Sequence, residues 1–226
     1  MYDPLYFLVI FMFILSLIVQ GKVRSDYRKF SRVASERGLR AEQAVQMVLD
    51  YYDITDVEIV RVAGNLTDHF DPRKNIIALS EPVYGSTSIA AIGVACHEAG
   101  HAAQHAKGYV PIKVRNSLVP ITQIGSFLGI PLAILGVILN TFNLVIIGLA
   151  LYTCVAIFQF VTLPVELNAS KRALAVINET DILTDEERHG AKKVLTSAAM
   201  TYIMALATTL VNLLRFASIF LGGRRR

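Results

Sequence analysis

Four long apolar stretches punctuate the chain, at 5–19, 118–139, 142–163 and 198–221. A bilayer core of about 30 Å takes roughly 17–25 residues of helix. By that measure the second and third stretches are full spans, the first is marginal, and the fourth is long enough but carries Arg215. The pattern predicts about four transmembrane helices. The second and third are separated only by "NTFN" at 140–143, so they read as a helical hairpin that returns the chain to the side it left. The polar segments flanking this hairpin, 22–117 and 164–197, can therefore share one aqueous site.

Shorter periodicities organise the first polar segment. "AEQAVQMVLDYY" at 41–52 repeats apolar positions at Ala41, Val45, Val48, Leu49 and Tyr52, which predicts a helix with one buried face. "DVEIVRV" at 56–62 alternates, and "NIIALS" at 75–80 follows the turn signal "DPRK". Together they predict a small sheet, with Leu66–Phe70 as a hairpin partner. "SEPVYGSTS" at 80–88 then offers a proline, a glycine and several hydroxyls as helix-start signals, and a helix is predicted over Ser88–Ala106.

Composition agrees with the membrane reading, at 54% hydrophobic and only 18% charged residues. The first stretch follows Asp3, has no basic residue before it, and precedes Lys22 and Arg24. That charge order is the reverse of a secretory signal and fits an uncleaved anchor. Residues 22–40 carry seven basic and two acidic side chains within a net charge of +4. They read as a segment beside anionic headgroups, and no nucleic-acid partner is expected. The same bias places this side in the cytoplasm, and Lys171, Arg172, Arg188, Lys192 and Lys193 agree with it. Arg224, Arg225 and Arg226 would end outside if 198–221 spans fully, with the larger upstream charge overriding the tail. Cys96 and Cys154 form no metal-type pair and are expected to be packing residues.

The chemistry is concentrated in "ACHEAGHAAQH" at 95–105. His97 and His101, four apart, project from one helix face about 6 Å apart along the axis, close enough to share one zinc at about 2.1 Å from each nitrogen. Glu98 is rotated by about 100° and can lean over an open coordination position, taking a proton from water there. This is the HExxH pattern of zinc hydrolases. Gly100 and the alanines keep the helix slim enough to pack closely. His105 lies about 12 Å along the axis from His97, too far to share the ion, and is expected to line the cleft or make a structural hydrogen bond. The best source of a third ligand is "LPVELNASKRA" at 163–173. Glu166 at the membrane edge is costly unless paired or metal-bound, although a carboxylate opening a helix after Pro164 would also be favoured by the helix dipole. Asn168 and Ser170 could hydrogen-bond a ligand. His69, Tyr84, Arg172, His189 and Tyr202 could each donate to an oxyanion, and nothing in the sequence selects among them.

With "LTDHFDPR", "LSEPVY", "HEAGHAAQH", "ELNASKRA" and "AKKVLTSAAMTY" in place along nearly its whole length, the chain resembles the YugP-like family of neutral membrane zinc metallopeptidases. That resemblance, with its gluzincin and HtpX-type relatives, implies that His97, His101 and Glu166 bind Zn2+ and that Glu98 is the general base. Ser170 departs from the HtpX-type pattern, which usually has an acid at that position. The resulting expectation is a mainly α integral membrane protein of about four transmembrane helices, with a small α+β zincin-like catalytic domain split by the hairpin. The divisions are an anchor at 1–21, catalytic parts at 22–117 and 164–197, the hairpin at 118–163, and a transmembrane or interfacial helix with a basic tail at 198–226. The expected partners are a peptide or membrane-protein substrate and the lipid bilayer, in a bacterial inner membrane with the site on the cytoplasmic side. A substrate strand could add to the strand before the active helix. Two rival readings remain. An intramembrane protease is opposed by the polar "EP" and "STS" ahead of the motif, and a scaffold with structural zinc is opposed by the lack of an obvious fourth ligand.

Overall fold

The computed structural model describes residues 4–222, with side chains through residue 219. Asp3, Arg224, Arg225 and Arg226, used above for the topology, lie outside the described residues. The elements in chain order are α1 (Pro4–Phe30), α2 (Ala41–Tyr51), β1 (Glu58–Val62), β2 (His69–Asp71), β3 (Ile76–Ser80), α3 (Ile89–Ala106), α4 (Val110–Ile138), α5 (Phe142–Glu179) and α6 (Asp185–Gly222). The protein is mainly α. Among the described residues, four helices, α1, α4, α5 and α6, are long and apolar enough to cross a membrane, and one three-stranded sheet accompanies them. The chain divides into two compact units. Met1–Gln20, Lys113–Pro164 and Met200–Arg226 form the membrane unit, and Gly21–Ile112 with Val165–Ala199 form the second.

The apolar stretches are the middles of longer helices. α5 runs through Pro164 without a break, so Glu166 sits within a helix rather than at its start. The helix-dipole explanation for that carboxylate therefore fails. A proline removes one backbone donor, a loss that membrane helices tolerate where neighbours make it good.

In the second unit, β3 occupies the centre of the sheet, parallel to β1 and antiparallel to β2. Its sequence, IIALS, is apolar almost throughout, as a strand covered on both faces requires, and Ile77, Ala78 and Leu79 are fully buried. Two sequence expectations change here. The partner strand is His69–Asp71 rather than Leu66–Phe70, because Leu66 sits at φ +58° and is 82% exposed, a conformation that interrupts a strand. And β3, the strand before the active helix, has both edges paired, so a substrate strand can add only at β1 or β2.

α2 buries Ala41, Ala44, Val45, Val48 and Leu49 along one face, and the Gln43 side chain accepts from the Arg40 backbone N–H at 2.9 Å to fix its start. α3 begins at Ser88, whose Oγ accepts from the Ala91 N–H at 3.2 Å. The core gathers Leu49, Ile77, Leu79 and Ile92 with Ile177, Ile182 and Leu183 from the later segment.

In the membrane unit, α4 and α5 form the expected hairpin, turning at Asn140 with φ +51°. Side chains such as Phe11, Phe127 and Phe160 are more than half exposed on its surface, as faces turned toward lipid would be. A Cβ on Gly148 would lie 2.5 Å from the Ala133 nitrogen and 2.6 Å from the Gly129 oxygen, so the two backbones touch there. Gly148→Val is expected to force the helices apart at a cost of about 1–3 kcal/mol, read as a lower unfolding temperature in detergent. An unchanged midpoint would contradict this packing.

Candidate metal centre

α3 presents the Nε2 atoms of His97 and His101 toward one oxygen of Glu166 on α5. His97 Nε2 is 3.2 Å and His101 Nε2 is 3.6 Å from Glu166 Oε2. The ligand atoms of the three residues lie within 4.8 Å of one another, and the two rings sit edge to face with centroids 4.7 Å apart. His101 and Glu166 are buried and His97 is partly so. Gly100 makes the meeting possible. A Cβ there would stand 2.5 Å from the Ala169 carbonyl oxygen, so α3 and α5 are in backbone contact one turn beyond Glu166.

The opposite sides of both rings are held. Ser170 Oγ is 3.0 Å from His97 Nδ1, and Gln104 Oε1 is 3.0 Å from His101 Nδ1. Gln104 Nε2 donates to the Val165 carbonyl at 2.8 Å and to Asn168 Oδ1 at 3.0 Å. Asn168 Oδ1 also accepts from Arg172 Nε at 2.8 Å, and the Arg172 guanidinium lies 5.8 Å from the Tyr52 ring centroid and 6.0 Å from that of Tyr109. This chain settles a tautomer. Because the Gln104 nitrogen is already donating twice, its oxygen faces His101 and can only accept, so Nδ1 carries the hydrogen and Nε2 offers a lone pair to the centre. For His97 the Ser170 hydroxyl can accept in the same sense.

Three electron-pair donors thus converge on one buried point, an arrangement that repels itself unless a positive charge lies between them. The electrostatics of the groups carry the same demand. At His101 burial opposes the charged form, but the Glu166 hydrogen bond, the charges of Glu98 and Glu166 and the Gln104 bond outweigh it, and the pKa is raised. Glu166 lies beyond Pro164, in the second unit. Burial pushes its pKa up, but the hydrogen bonds and charges of His101 and His97 prevail and hold the carboxyl well below the usual range. Two imidazole nitrogens and one carboxylate oxygen form a donor set that suits zinc and leaves a fourth position open.

Glu98 is half-buried beside the triad, and its carboxylate makes no hydrogen bond or ion pair among the described residues. His105 is outside the cluster, exposed, with its ring 5.8 Å from Phe70 on β2, as the helix geometry requires. Cys96 is fully buried, which pushes its thiol up to about 12, so it packs as an apolar group. Cys154 is likewise a free thiol, on α5. Of the residues considered as oxyanion donors, Arg172 is engaged with Asn168, His69 bonds the Thr67 carbonyl at 2.8 Å, Tyr84 and His189 are exposed, and Tyr202 lies on α6 in the membrane unit. Sequence reasoning missed Gln104. Its place three residues after His101, on the same helix face, was the available signal.

The family described as "Putative neutral zinc metallopeptidase" matches residues 5–221 of the chain. The protein belongs to this family. Over 210 residues, 93% of each chain, it is 40% identical to the "Putative membrane protease YugP" of Bacillus subtilis (strain 168). No solved structure matches it. The zinc metallopeptidase family implies zinc, and the donor set of His97, His101 and Glu166 fits that ion.

Loss of the outer hydrogen bonds should loosen the rings rather than delete a ligand. Gln104→Leu and Ser170→Ala are each expected to lower zinc affinity by about 10–100-fold, measured by chelator competition on the purified protein. His97→Ala or His101→Ala should lose most of the zinc, and His105→Ala none. Equal loss from all three histidine variants would contradict the assignment.

Proposed function

We propose that the protein is a membrane-anchored zinc endopeptidase that cleaves peptide or membrane-protein substrates at the cytoplasmic face of a bacterial inner membrane, with a role in membrane-protein quality control. The observation that carries this reading is the convergence of His97, His101 and Glu166 on one buried point with an uncommitted Glu98 beside it.

Zinc held by His97, His101 and Glu166 would supply Lewis acidity, able to polarise a substrate carbonyl and to make water beside it more acidic. Ser170 and Gln104 orient the imidazoles that hold it. Glu98 takes the proton from the attacking water and returns it to the leaving amine. The substrate backbone adds in extended form to β2, the sheet edge that meets the active helix where Phe70 packs on His105. Backbone pairing of this kind gives affinity with little side-chain selectivity.

The rival scaffold reading calls for a closed structural site with four protein ligands, whereas this cluster has three donors among the described residues. An intramembrane site is disfavoured because α3, which carries the motif, is not among the four helices apolar enough to span.

Glu98→Gln is expected to keep zinc and fold while casein hydrolysis falls by at least about 100-fold, the scale of a lost general base. Retained hydrolysis in a zinc-loaded variant would remove Glu98 from the mechanism. For the topology, a cysteine replacing Arg188, in a background lacking Cys96 and Cys154, should resist an impermeant thiol reagent in intact cells and react after lysis. Labelling from outside would move the site to the other face.

A further inference from the structure

The membrane unit contains a cavity of about 320 Å³ bordered by α1, α5 and α6. Ser16 and Gln20 line it from α1, Tyr152 and Gln159 from α5, and Thr208 and Asn212 from α6. Each pair is four or seven residues apart, so on each helix the two polar residues share one face, bordered by Val19 on α1 and by Met204 and Ala205 on α6. Among the described residues, no acidic, basic or histidine side chain borders the cavity. In hydrocarbon such groups are expensive unless bonded, and they ordinarily hydrogen-bond across helices.

These side chains do not close on one another. Ser16 Oγ and Thr208 Oγ1 are 3.5 Å apart, at the outer limit of a hydrogen bond, and the buried Gln159 Oε1 has no donor among the described residues. The volume falls within the range of small-ligand sites. Its chemistry narrows the guest. A phosphate headgroup calls for Arg or Lys, and a cation for a carboxylate, and neither is among the described residues that line the cavity. Amide and hydroxyl groups offer donors and acceptors together without charge. That combination suits peptide N–H and C=O groups, which hydrocarbon leaves unsatisfied whenever a membrane helix opens.

We propose that this cavity receives the locally opened backbone of a membrane-embedded polypeptide segment and supplies the hydrogen bonds that lipid cannot. The proposal rests on the protease reading, because hydrolysis needs an extended chain and a helical span conceals its peptide groups.

The test uses full-length Glu98→Gln protein in phosphatidylglycerol vesicles, with a photo-crosslinking amino acid replacing Ala205 at the cavity wall. The probes are two synthetic single-span peptides of equal length, one an uninterrupted Leu/Ala helix and one carrying Asn-Pro-Gly at mid-span. The interrupted peptide should crosslink at least about fivefold more than the other. Gln159→Leu combined with Asn212→Leu should reduce that yield about tenfold, at about threefold per lost hydrogen bond in a membrane. If the double variant loses its zinc or its helical signal, Thr208→Val, which keeps the shape of the side chain, carries the test with an expected threefold fall. Equal crosslinking of the two peptides, an undiminished yield in the variants, or capture of lipid alone would overturn the proposal. Crosslinking requires no hydrolysis, so an inactive wild type would count against the protease reading and leave the peptide yields to judge the cavity.

Discussion

Three lone-pair donors aimed at one buried point are the constraint on which the site depends. Left to themselves, His97, His101 and Glu166 would turn apart, since each faces negative charge density on the others. They are held together from behind. The Gly100–Ala169 backbone contact sets the separation of α3 and α5, and the network from Gln104 through Asn168 to Arg172 ties α3 to the same turns of α5 that carry Glu166. The scaffold thus stores the demand for a cation, and the raised His101 and lowered Glu166 pKa values register it.

Continuity of α5 serves the same end. Had the chain broken at Pro164, Glu166 would have stood in a helix's first turn, with its carboxylate bound by free backbone donors and its oxygens directed to them. Inside an unbroken helix no such donors exist. The carboxylate is then free to face α3, and Asn168 and Ser170, two and four residues on, face the same neighbour, Ser170 toward His97 and Asn168 toward Gln104.

Much of this was legible in the sequence for definite physical reasons. Apolar runs of bilayer length locate the spans, and the spacing of His97 and His101 fixes their common face while excluding His105. The third donor was readable because a lone carboxylate at the end of a span needs an explanation. Other features escaped because they depend on contacts between distant segments. The side chain of Leu66 suits a strand, whereas the backbone turns left-handed there. That β3 is not an edge is equally hidden from local sequence, because strand order is decided by the β1–β3 crossover, which no local pattern records. Gln104 looked like an ordinary polar helix residue until α5 supplied the groups its amide bonds.

The partners of the imidazoles also bear on the charge of the centre. Where a carboxylate stands behind a ligand histidine, it pulls on the Nδ1 proton and makes Nε2 more basic, adding negative charge that weakens the centre as an acid. Here both partners are neutral, a hydroxyl from Ser170 and an amide from Gln104. The negative charges acting on His101 are therefore those of Glu166 and Glu98. In the proposed mechanism two carboxylates would balance one divalent cation, Glu166 holding it and Glu98 handling the proton. An acid at position 170 would break that balance, raising the negative charge beside His97 and opposing the charged form of Glu98 when it is needed as a base. Ser170 keeps the orientation while leaving the charge unchanged, which is a physical reason for the departure from an acidic residue at that turn of α5.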